Sequence, residues 1–162
     1  MLQQYNNVLV AMDGSYESEM ALQKAIEIVK RNNSTLHILH VIDTRAFQDV
    51  SSFDSSMVEQ VTSTSRKALE EYVEQIKVQG VSKIVTKIEY GAPKLTIASD
   101  YPKRNKIDLI MLGATGLNAV ERLLIGSVTE FVTRNAPCDV LVVRTDNEGH
   151  PLQKQPKTKD KK

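Results

Sequence analysis

The chain has 162 residues and a mass of 18.1 kDa, which fits one globular domain. With 41% hydrophobic and 25% charged residues, its composition excludes a disordered or fibrous protein and allows a sizeable buried core. Lys and Arg number 21 and Asp and Glu 20, so the formal charge of +1 gives no broad field that would attract nucleic acid or an acidic membrane.

The first half of the chain alternates strand and helix patterns. The apolar run 8–12 predicts a strand, and apolar residues at helical spacing within 22–29 predict a helix. The run 36–42 predicts the second strand. Residues 44–56 are rich in serine and have no clear period, which predicts a flexible surface loop. Apolar spacing within 61–76 then predicts a longer helix that the next glycine ends.

The third strand and third helix have weaker patterns. The run 84–88 alternates apolar and polar residues, which predicts a strand near the edge of a sheet. Pro93 suits the first turn of a short helix that continues to Ala98, and Pro102 is expected beyond its end. The run 107–112 then predicts a fourth strand whose two faces are both covered.

The last elements complete the alternation of strands and helices. A fourth helix is predicted within 128–135, stopped before Pro137, and the run 140–143 predicts a fifth strand. This order predicts an α/β fold with three α/β/α layers around a five-stranded, mainly parallel, doubly wound sheet, because right-handed crossovers place each helix on a face of the sheet. Residues 1–145 would form this domain. Residues 146–162, rich in Lys and poor in apolar residues, are expected to be a flexible tail.

The compartment is predicted from cysteine use and from hydropathy. A single cysteine, Cys138, excludes an internal disulfide and fits a reducing compartment. We interpret it as a small buried side chain, since nothing nearby in the sequence explains a lowered thiol pKa. No apolar run approaches the roughly 18 residues of a membrane helix, and residues 1–7 lack the order of a signal peptide. These features predict a cytoplasmic protein without membrane contact.

The segments after the first and fourth strands are the first candidates for a ligand site. In open α/β sheets, ligands bind beyond the carboxyl ends of the strands, at the point where the strand order reverses. Asp13-Gly14 follows the first strand, and the fourth ends in Leu112-Gly113 with Gly116 close behind. If these strands are neighbours, the two turns face each other across one crevice.

A spaced glycine motif supports an anion site in this crevice. Nine residues separate Gly116 from Gly126, and Gly126-Ser127 opens the last predicted helix. Glycines let backbone amides approach an oxygen-rich ligand, and a helix N-terminus offers unpaired N–H groups with a partial positive charge. Arg122 is the only cation of the intervening loop and a candidate phosphate partner.

Structural explanations of the same residues stay open. The segment from Ser127 to Glu130 also fits a capping box, in which each side chain bonds the other residue's backbone, and capping is compatible with phosphate contact. Gly113 and Gly116 could simply turn the chain, and Arg122 could simply be solvated. Local pattern alone does not separate these explanations.

Asp13 and two histidines are the remaining polar candidates. The Asp13 carboxylate either caps the first helix, a role that Ser15 or Ser18 could also fill, or reaches ribose hydroxyls or a Mg²⁺ ion carried by phosphates. We favour the second interpretation because the glycine-rich loop should lie opposite. His37 and His40, in the second strand, are interpreted as packed or rim residues and not as general bases or metal ligands.

Three spaced motifs carry a family resemblance: Val8-Leu-Val-Ala-Met-Asp-Gly-Ser15, Gly113-x2-Gly116-x9-Gly126-Ser127 and Pro137-Cys-Asp-Val-Leu-Val-Val143. With these motifs the chain resembles the universal stress protein family, in its ATP-binding branch. The resemblance implies a Rossmann-like sheet of order 3-2-1-4-5, a cytoplasmic homodimer, and a site for ATP, ADP or AMP with Mg²⁺.

The resemblance also implies individual contacts. Asp13 would lie near the ribose and, through the phosphates, near Mg²⁺, while the backbone of Val41 would meet adenine. Ala11 stands where many relatives carry Pro, which should not remove the site. The last strand, 140–143, would pair with its copy in a dimer and so protect an apolar edge. The full set of implied nucleotide-contact residues is Ala11, Met12, Asp13, Val41, Leu112, Gly113, Gly116, Arg122, Gly126, Ser127, Val128 and Thr129.

Three functions remain open at this point. The first is a regulatory, ATP-binding homodimer in the stress response, with a regulatory protein partner that the sequence does not identify. The second is a slow ATPase or phosphotransfer enzyme, which is disfavoured because the chain has no Gly-x4-Gly-Lys-Ser/Thr loop and only Arg122 supplies charge within the glycine motif. The third is a structural stress protein that binds no nucleotide.

Overall fold

The described part of this computed structural model consists of residues 4–47, 55–115 and 125–145. Two predicted contact residues, Gly116 and Arg122, lie outside the described residues, as does the predicted tail 146–162. The predicted partition into a domain and a tail therefore stays a prediction.

Strands and helices alternate along the chain as predicted. The strands are β1 (Asn7–Ala11), β2 (Thr35–Ile42), β3 (Ile84–Tyr90), β4 (Leu109–Gly113) and β5 (Asp139–Val143). The helices are α1 (Tyr16–Asn32), α2 (Ser55–Val78), α3 (Pro93–Leu95, Thr96–Asp100 and Tyr101–Asn105 in one continuous run) and α4 (Ser127–Asn135).

The strands form one parallel sheet in the order β3-β2-β1-β4-β5. In this sheet Val8 of β1 lies between Leu36 of β2 and Leu109 of β4. The predicted order 3-2-1-4-5 and the predicted edge position of the third strand are confirmed. In β4 all five residues are buried, and in β1 the three central residues are buried, since helices cover both faces of these strands.

The core lies on both faces of the sheet. On one face, α1 and α2 cover a cluster that includes Val10, Ile26, Ile38 and Met111. On the other face, α3 and α4 cover a second cluster, in which Leu39 packs with residues of both helices. These two clusters give the three predicted layers and leave the carboxyl ends of the strands as the rim between the helices.

The segment predicted as a loop at 44–56 is partly helical. Thr44–Phe47 forms a 3₁₀ turn, and α2 already begins at Ser55. The turn starts with a local ion pair in which Arg45 Nη2 lies 2.7 Å from Asp43 Oδ2. The prediction missed the turn because a short turn stabilised by one side-chain pair needs no apolar period, and positions 48–54 of the predicted loop lie outside the described residues.

The prediction that Pro102 lies beyond the third helix is wrong. Proline is disfavoured inside an α-helix because its ring clashes with the carbonyl of the residue four positions earlier. Here the chain makes a π turn, in which the Tyr101 N–H donates to the Thr96 carbonyl five residues back. This wider turn admits Pro102 to the first turn of the helical segment that follows, Tyr101–Asn105.

His37 is a buried polar residue of β2, 6% exposed. Its Nδ1 lies 3.0 Å from the Tyr101 hydroxyl and its Nε2 lies 3.3 Å from Asn7 Oδ1. Because an amide oxygen only accepts, Nε2 carries the proton and Nδ1 accepts from Tyr101. The interpretation of His37 as a packed residue is confirmed.

Gly113, the last residue of β4, allows α1 to approach the sheet closely. A Cβ at this position would lie 2.8 Å from the carbonyl carbon and from the Cβ of Glu17, in the first turn of α1. Real Cβ atoms essentially never come so close, and one of the two contacts is backbone. Packing at the junction of β4 and α1 therefore explains this glycine.

We expect Gly113→Ala to lower the free energy of unfolding by about 1–3 kcal/mol, because the added methyl group overpacks a junction that backbone atoms form. Urea denaturation measures the change. Lys106→Gly serves as the comparison, since Lys106 has a φ of 51° and a glycine there should leave stability unchanged or raise it by up to about 1 kcal/mol. A Gly113→Ala variant as stable as the wild type would contradict the packing explanation.

His37 should make the protein less stable in mild acid. Burial lowers the pKa of His37 below its ordinary value of 6.5, so the unfolded chain takes up a proton at a pH at which the native ring is still neutral. We expect the free energy of unfolding to fall as the pH drops through about 6.5, and to fall less steeply in His37→Gln. Urea denaturation at about pH 7.5 and about pH 5.5 tests this, and equal slopes for the two proteins would refute it.

Candidate functional site

The candidate site lies where the strand order reverses. From β1 the chain moves outward through β2 to β3, and then returns to place β4 on the other side of β1. The helices after β1 and β4 consequently lie on opposite faces, which opens a crevice at the carboxyl ends of these two strands. The predicted neighbourhood of the first and fourth strands is confirmed.

Met12 is held at both of its peptide groups. Its N–H donates to the Leu39 carbonyl at 2.8 Å, and its own carbonyl accepts a hydrogen bond from His40 Nδ1 at 2.7 Å. Its side chain is only 4% exposed and packs in the core cluster beneath α1. The residue before Asp13 is therefore fixed to β2. Sequence reasoning predicted a packed or rim His40 but missed this bond, which no local pattern signals.

Asp13 is exposed at the start of the turn into α1. Its Oδ1 accepts hydrogen bonds from the Ser15 N–H, at 2.9 Å, and from the Ser15 hydroxyl. Ser15 in turn caps α1, with its Oγ accepting from the Ser18 N–H at 3.2 Å. The alternative in which Asp13 caps the first helix is wrong, because Ser15 takes that role. Within the described residues, Asp13 Oδ2 accepts no hydrogen bond, so no group there competes with a ligand for this oxygen.

Gly14 lets the chain turn sharply between Asp13 and Ser15. Its φ is 82°, a left-handed value that L side chains adopt at a steric cost. A Cβ there would meet nothing within 4 Å, so the backbone angle alone accounts for the glycine.

The turn after β4 is docked onto its neighbours in the same manner. The Ala114 N–H donates to the Val143 carbonyl at 2.9 Å, and the Ala114 carbonyl accepts from the Gly126 N–H at 2.7 Å. The Thr129 hydroxyl donates to the Gly113 carbonyl at 2.8 Å. These bonds hold the first turn of α4 against the end of β4, beside the strand that carries the Asp13 turn.

The first turn of α4 presents backbone donors at this rim. The N-cap is Gly126, and the first helical hydrogen bond runs from the Glu130 N–H to the Gly126 carbonyl at 2.9 Å. The amides of Ser127, Val128 and Thr129 have no acceptor among the residues that the structure describes. A helix N-terminus in this state is an anion-binding element, because its amides and the helix dipole both favour negative charge.

The predicted capping box is wrong. Ser127 lies inside the helix at its first position and its side chain makes no capping bond. The Glu130 carboxylate turns away to Arg134, whose Nη2 lies 2.9 Å from Oε1, one helical turn further on. Gly126 leaves no side chain to cap the helix, so the box cannot form.

Three apolar side chains border the crevice on the face of α3 and α4. Ala11 ends β1, Val41 lies one residue before the end of β2, and Val128 lies in the first turn of α4. All three are half-buried and pack against the same core cluster, whereas Leu112 is buried within it. The sheet end thus offers an apolar surface next to the polar donors of α4.

The opposite side of the crevice carries negative charge. The Tyr72 hydroxyl, from α2, donates to Glu19 Oε1 in α1 at 2.8 Å. Burial raises the pKa of Tyr72 to about 12, with the bond to Glu19 and the charge of Asp13 as further causes. Among residues 4–47, 55–115 and 125–145, no cluster of three or more His, Cys, Asp or Glu side chains is arranged to hold a metal ion.

Cys138 and the apolar character of the helices are two further features that the sequence singled out. Cys138 is half-buried and not fully buried as predicted, and burial raises the pKa of its thiol to about 11, which disfavours the thiolate that a nucleophile requires. In the described part of the chain, none of the helices has both the length and the apolar character that membrane crossing requires.

Comparison with known proteins agrees with this architecture. A Staphylococcus haemolyticus protein that bears the name universal stress protein is 44% identical over 142 residues, which cover 88% of this chain and 86% of the relative. The universal stress protein UspA from Lactobacillus plantarum superimposes with a TM-score of 0.81 at 34% identity, covering 88% of this chain and all of that one. A universal stress protein solved in complex with cAMP has a TM-score of 0.67 at 26% identity, covering 88% and 98% of the two chains.

The family assignment rests on nearly the whole domain. Residues 4–144 match the model of the universal stress protein family, a range that contains all five strands and both turns of the crevice. The predicted resemblance is confirmed. The chain belongs to the universal stress protein family.

Proposed function

We propose that this protein binds ATP with Mg²⁺ at the crevice between the Asp13 turn and the first turn of α4, and acts in the cytoplasm as a regulatory homodimer of the stress response. The observation that carries the proposal is the row of backbone amides at Ser127, Val128 and Thr129, docked by the Gly126–Ala114 bond beside the exposed carboxylate of Asp13.

Each part of the nucleotide has a matching surface in the crevice. The amides of α4 and its helix dipole would receive phosphate oxygens. Oδ2 of Asp13, which has no partner within the described residues, would bind a ribose hydroxyl or a Mg²⁺ ion that the phosphates also ligate. Adenine would lie on the apolar surface of Ala11, Val41 and Val128, with the Val41 backbone supplying polar contacts. Gly116 and Arg122, in the sequence segment between β4 and α4, would complete the phosphate contacts.

The chemistry of a relative supports the ligand class. The family member in complex with cAMP carries an adenine nucleotide, and it shares 26% of aligned residues with this chain. A site built from backbone amides recognises phosphate oxygens in general, so the choice of ATP over ADP or AMP depends on the loop contacts and on the metal. In the proposed function, occupancy shifts the protein between two states that a regulatory partner distinguishes.

The proposed dimer uses the outer edge of β5. β5 is the last strand of the sheet, and Val140, Leu141 and Val142 are half-buried on its surface. The Val143 carbonyl bonds the Ala114 N–H on the β4 side. Since the main-chain N–H and C=O groups alternate in direction along a strand, those of Val142 and Val140 point toward the open edge. Pairing with a second copy would satisfy these groups and cover an edge prone to aggregation.

We expect wild-type protein to bind MgATP and Gly126→Asp to weaken this binding by at least about fivefold, because a carboxylate about 4 Å from a phosphate repels it by about 1 kcal/mol or more even in a watery environment. Isothermal titration calorimetry measures the affinity. The Gly126 φ of −66° and ψ of 157° suit an aspartate N-cap, so the variant should fold with at least wild-type stability.

Gly126→Ser is the matched control, since serine caps the helix equally well without charge. It should bind MgATP far more tightly than the aspartate variant does. If wild-type protein produces no heat and no thermal shift at millimolar MgATP, the proposed function fails, because a ligand selective for the native state must stabilise it.

The proposed dimer interface makes a separate prediction. Val142→Pro removes an N–H that addresses the outer edge and spares the pairing with β4, so it should yield a folded monomer. Val142→Thr keeps the N–H and the branched side chain and should remain dimeric. Light scattering coupled to size-exclusion chromatography measures the mass. If the proline variant is still a dimer, the outer edge of β5 is not the dimer interface.

A further inference from the structure

His40 connects the second strand to the turn that carries Asp13. Its Nδ1 lies 2.7 Å from the Met12 carbonyl oxygen. Since a carbonyl oxygen only accepts, Nδ1 carries a proton and donates it to this bond. The imidazole is half-buried at the carboxyl end of β2, and Ile88 of β3 lies opposite it in the sheet. The bond is a long-range one, between residues that are 28 positions apart.

This bond sets the direction of the Asp13 amide. The Met12 carbonyl and the Asp13 N–H belong to one planar trans peptide group, so they point in opposite directions and turn together. The bond from His40 holds the carbonyl toward β2 and thereby directs the Asp13 N–H away from it. Within the described residues the Asp13 N–H has no acceptor. A donor of fixed direction therefore lies at the rim of the crevice, next to the Asp13 carboxylate.

We propose that His40 is a positioning residue for the nucleotide: it acts through the Met12 carbonyl to fix the amide and carboxylate of Asp13 for contact with the ribose and the phosphate-bound metal. This inference rests on the proposed function and adds to it a residue that itself touches no ligand. Preorganisation is the physical benefit, because a turn that is ordered before binding loses less conformational entropy when the ligand arrives.

Two substitutions separate the hydrogen bond from the ring. In asparagine, Nδ2 is attached to Cγ as Nδ1 is in histidine, so His40→Asn keeps a donor at nearly the same place. His40→Leu fills similar space without a donor and leaves the Met12 carbonyl unpaired. We expect the leucine variant to bind MgATP about tenfold more weakly, as loss of one hydrogen bond implies. The asparagine variant should stay within about threefold of wild type.

Isothermal titration calorimetry of the full chain, with MgATP as the probe, tests the inference through a double-mutant cycle with Asp13→Asn. If His40 acts through the Asp13 turn, His40→Leu should cost clearly less affinity once Asp13 is replaced than it costs in the wild-type background. Urea denaturation of each variant shows that the titrations are made on folded protein. A merely structural role would lower the unfolding midpoint and leave the affinity of folded molecules unchanged.

The outcomes distinguish this inference from the function on which it rests. If wild-type protein binds MgATP but His40→Leu binds equally well, or if its loss adds fully to that of Asp13→Asn, the positioning role is wrong and nucleotide binding stands. If His40→Asn is as weak as His40→Leu, the hydrogen bond is not the cause and the inference also falls. If wild-type protein takes up no MgATP, the proposed function and the inference fail together.

Discussion

The structure depends on how the main-chain groups at the carboxyl ends of the two central strands are satisfied. A buried peptide group without a partner costs about 1–3 kcal/mol, so each strand end must find donors and acceptors beyond its own ladder. At the end of β1, Met12 is bonded to Leu39 and His40 of β2. At the end of β4, Ala114 is bonded to Val143 of β5 and to Gly126. Neighbouring strands and the next helix thus fix both rims of the crevice.

The same hydrogen bonds explain which main-chain and side-chain polar groups stay available to a ligand. Once the Ala114 carbonyl has taken the Gly126 amide, and Thr129 has used its hydroxyl on the Gly113 carbonyl, the next three amides of α4 lie at the rim without acceptors among the described residues. Across the crevice, Ser15 occupies one oxygen of Asp13 and leaves the other. A donor row and a carboxylate are thereby held in place by the packing of the sheet ends alone.

The glycines of the site serve different physical purposes, although they look alike in the sequence. Gly14 is required by a left-handed backbone angle, and Gly113 by the close approach of Glu17. Gly126 has an ordinary backbone angle. Backbone strain therefore does not explain Gly126, and under the proposed function its missing side chain would leave the first turn of α4 open to a phosphate. Gly113, the first glycine of the spaced motif, and Gly14, which lies outside that motif, therefore shape the support of the site.

The amino-acid sequence by itself determined the order of strands and helices, because a change of hydrophobic period from two to about 3.6 is a local property that survives in any context. The residue pattern left open whether β1 and β4 are neighbours, and the order 3-2-1-4-5, which places them side by side, followed from the family resemblance of the spaced motifs. Tertiary structure alone decided the rest. Ser15, and not Asp13, caps α1; Gly126 replaces Ser127 as the cap of α4; and His40 reaches Met12. These choices depend on which groups the folded chain brings within hydrogen-bond distance, and a pattern of neighbouring residues carries no such information.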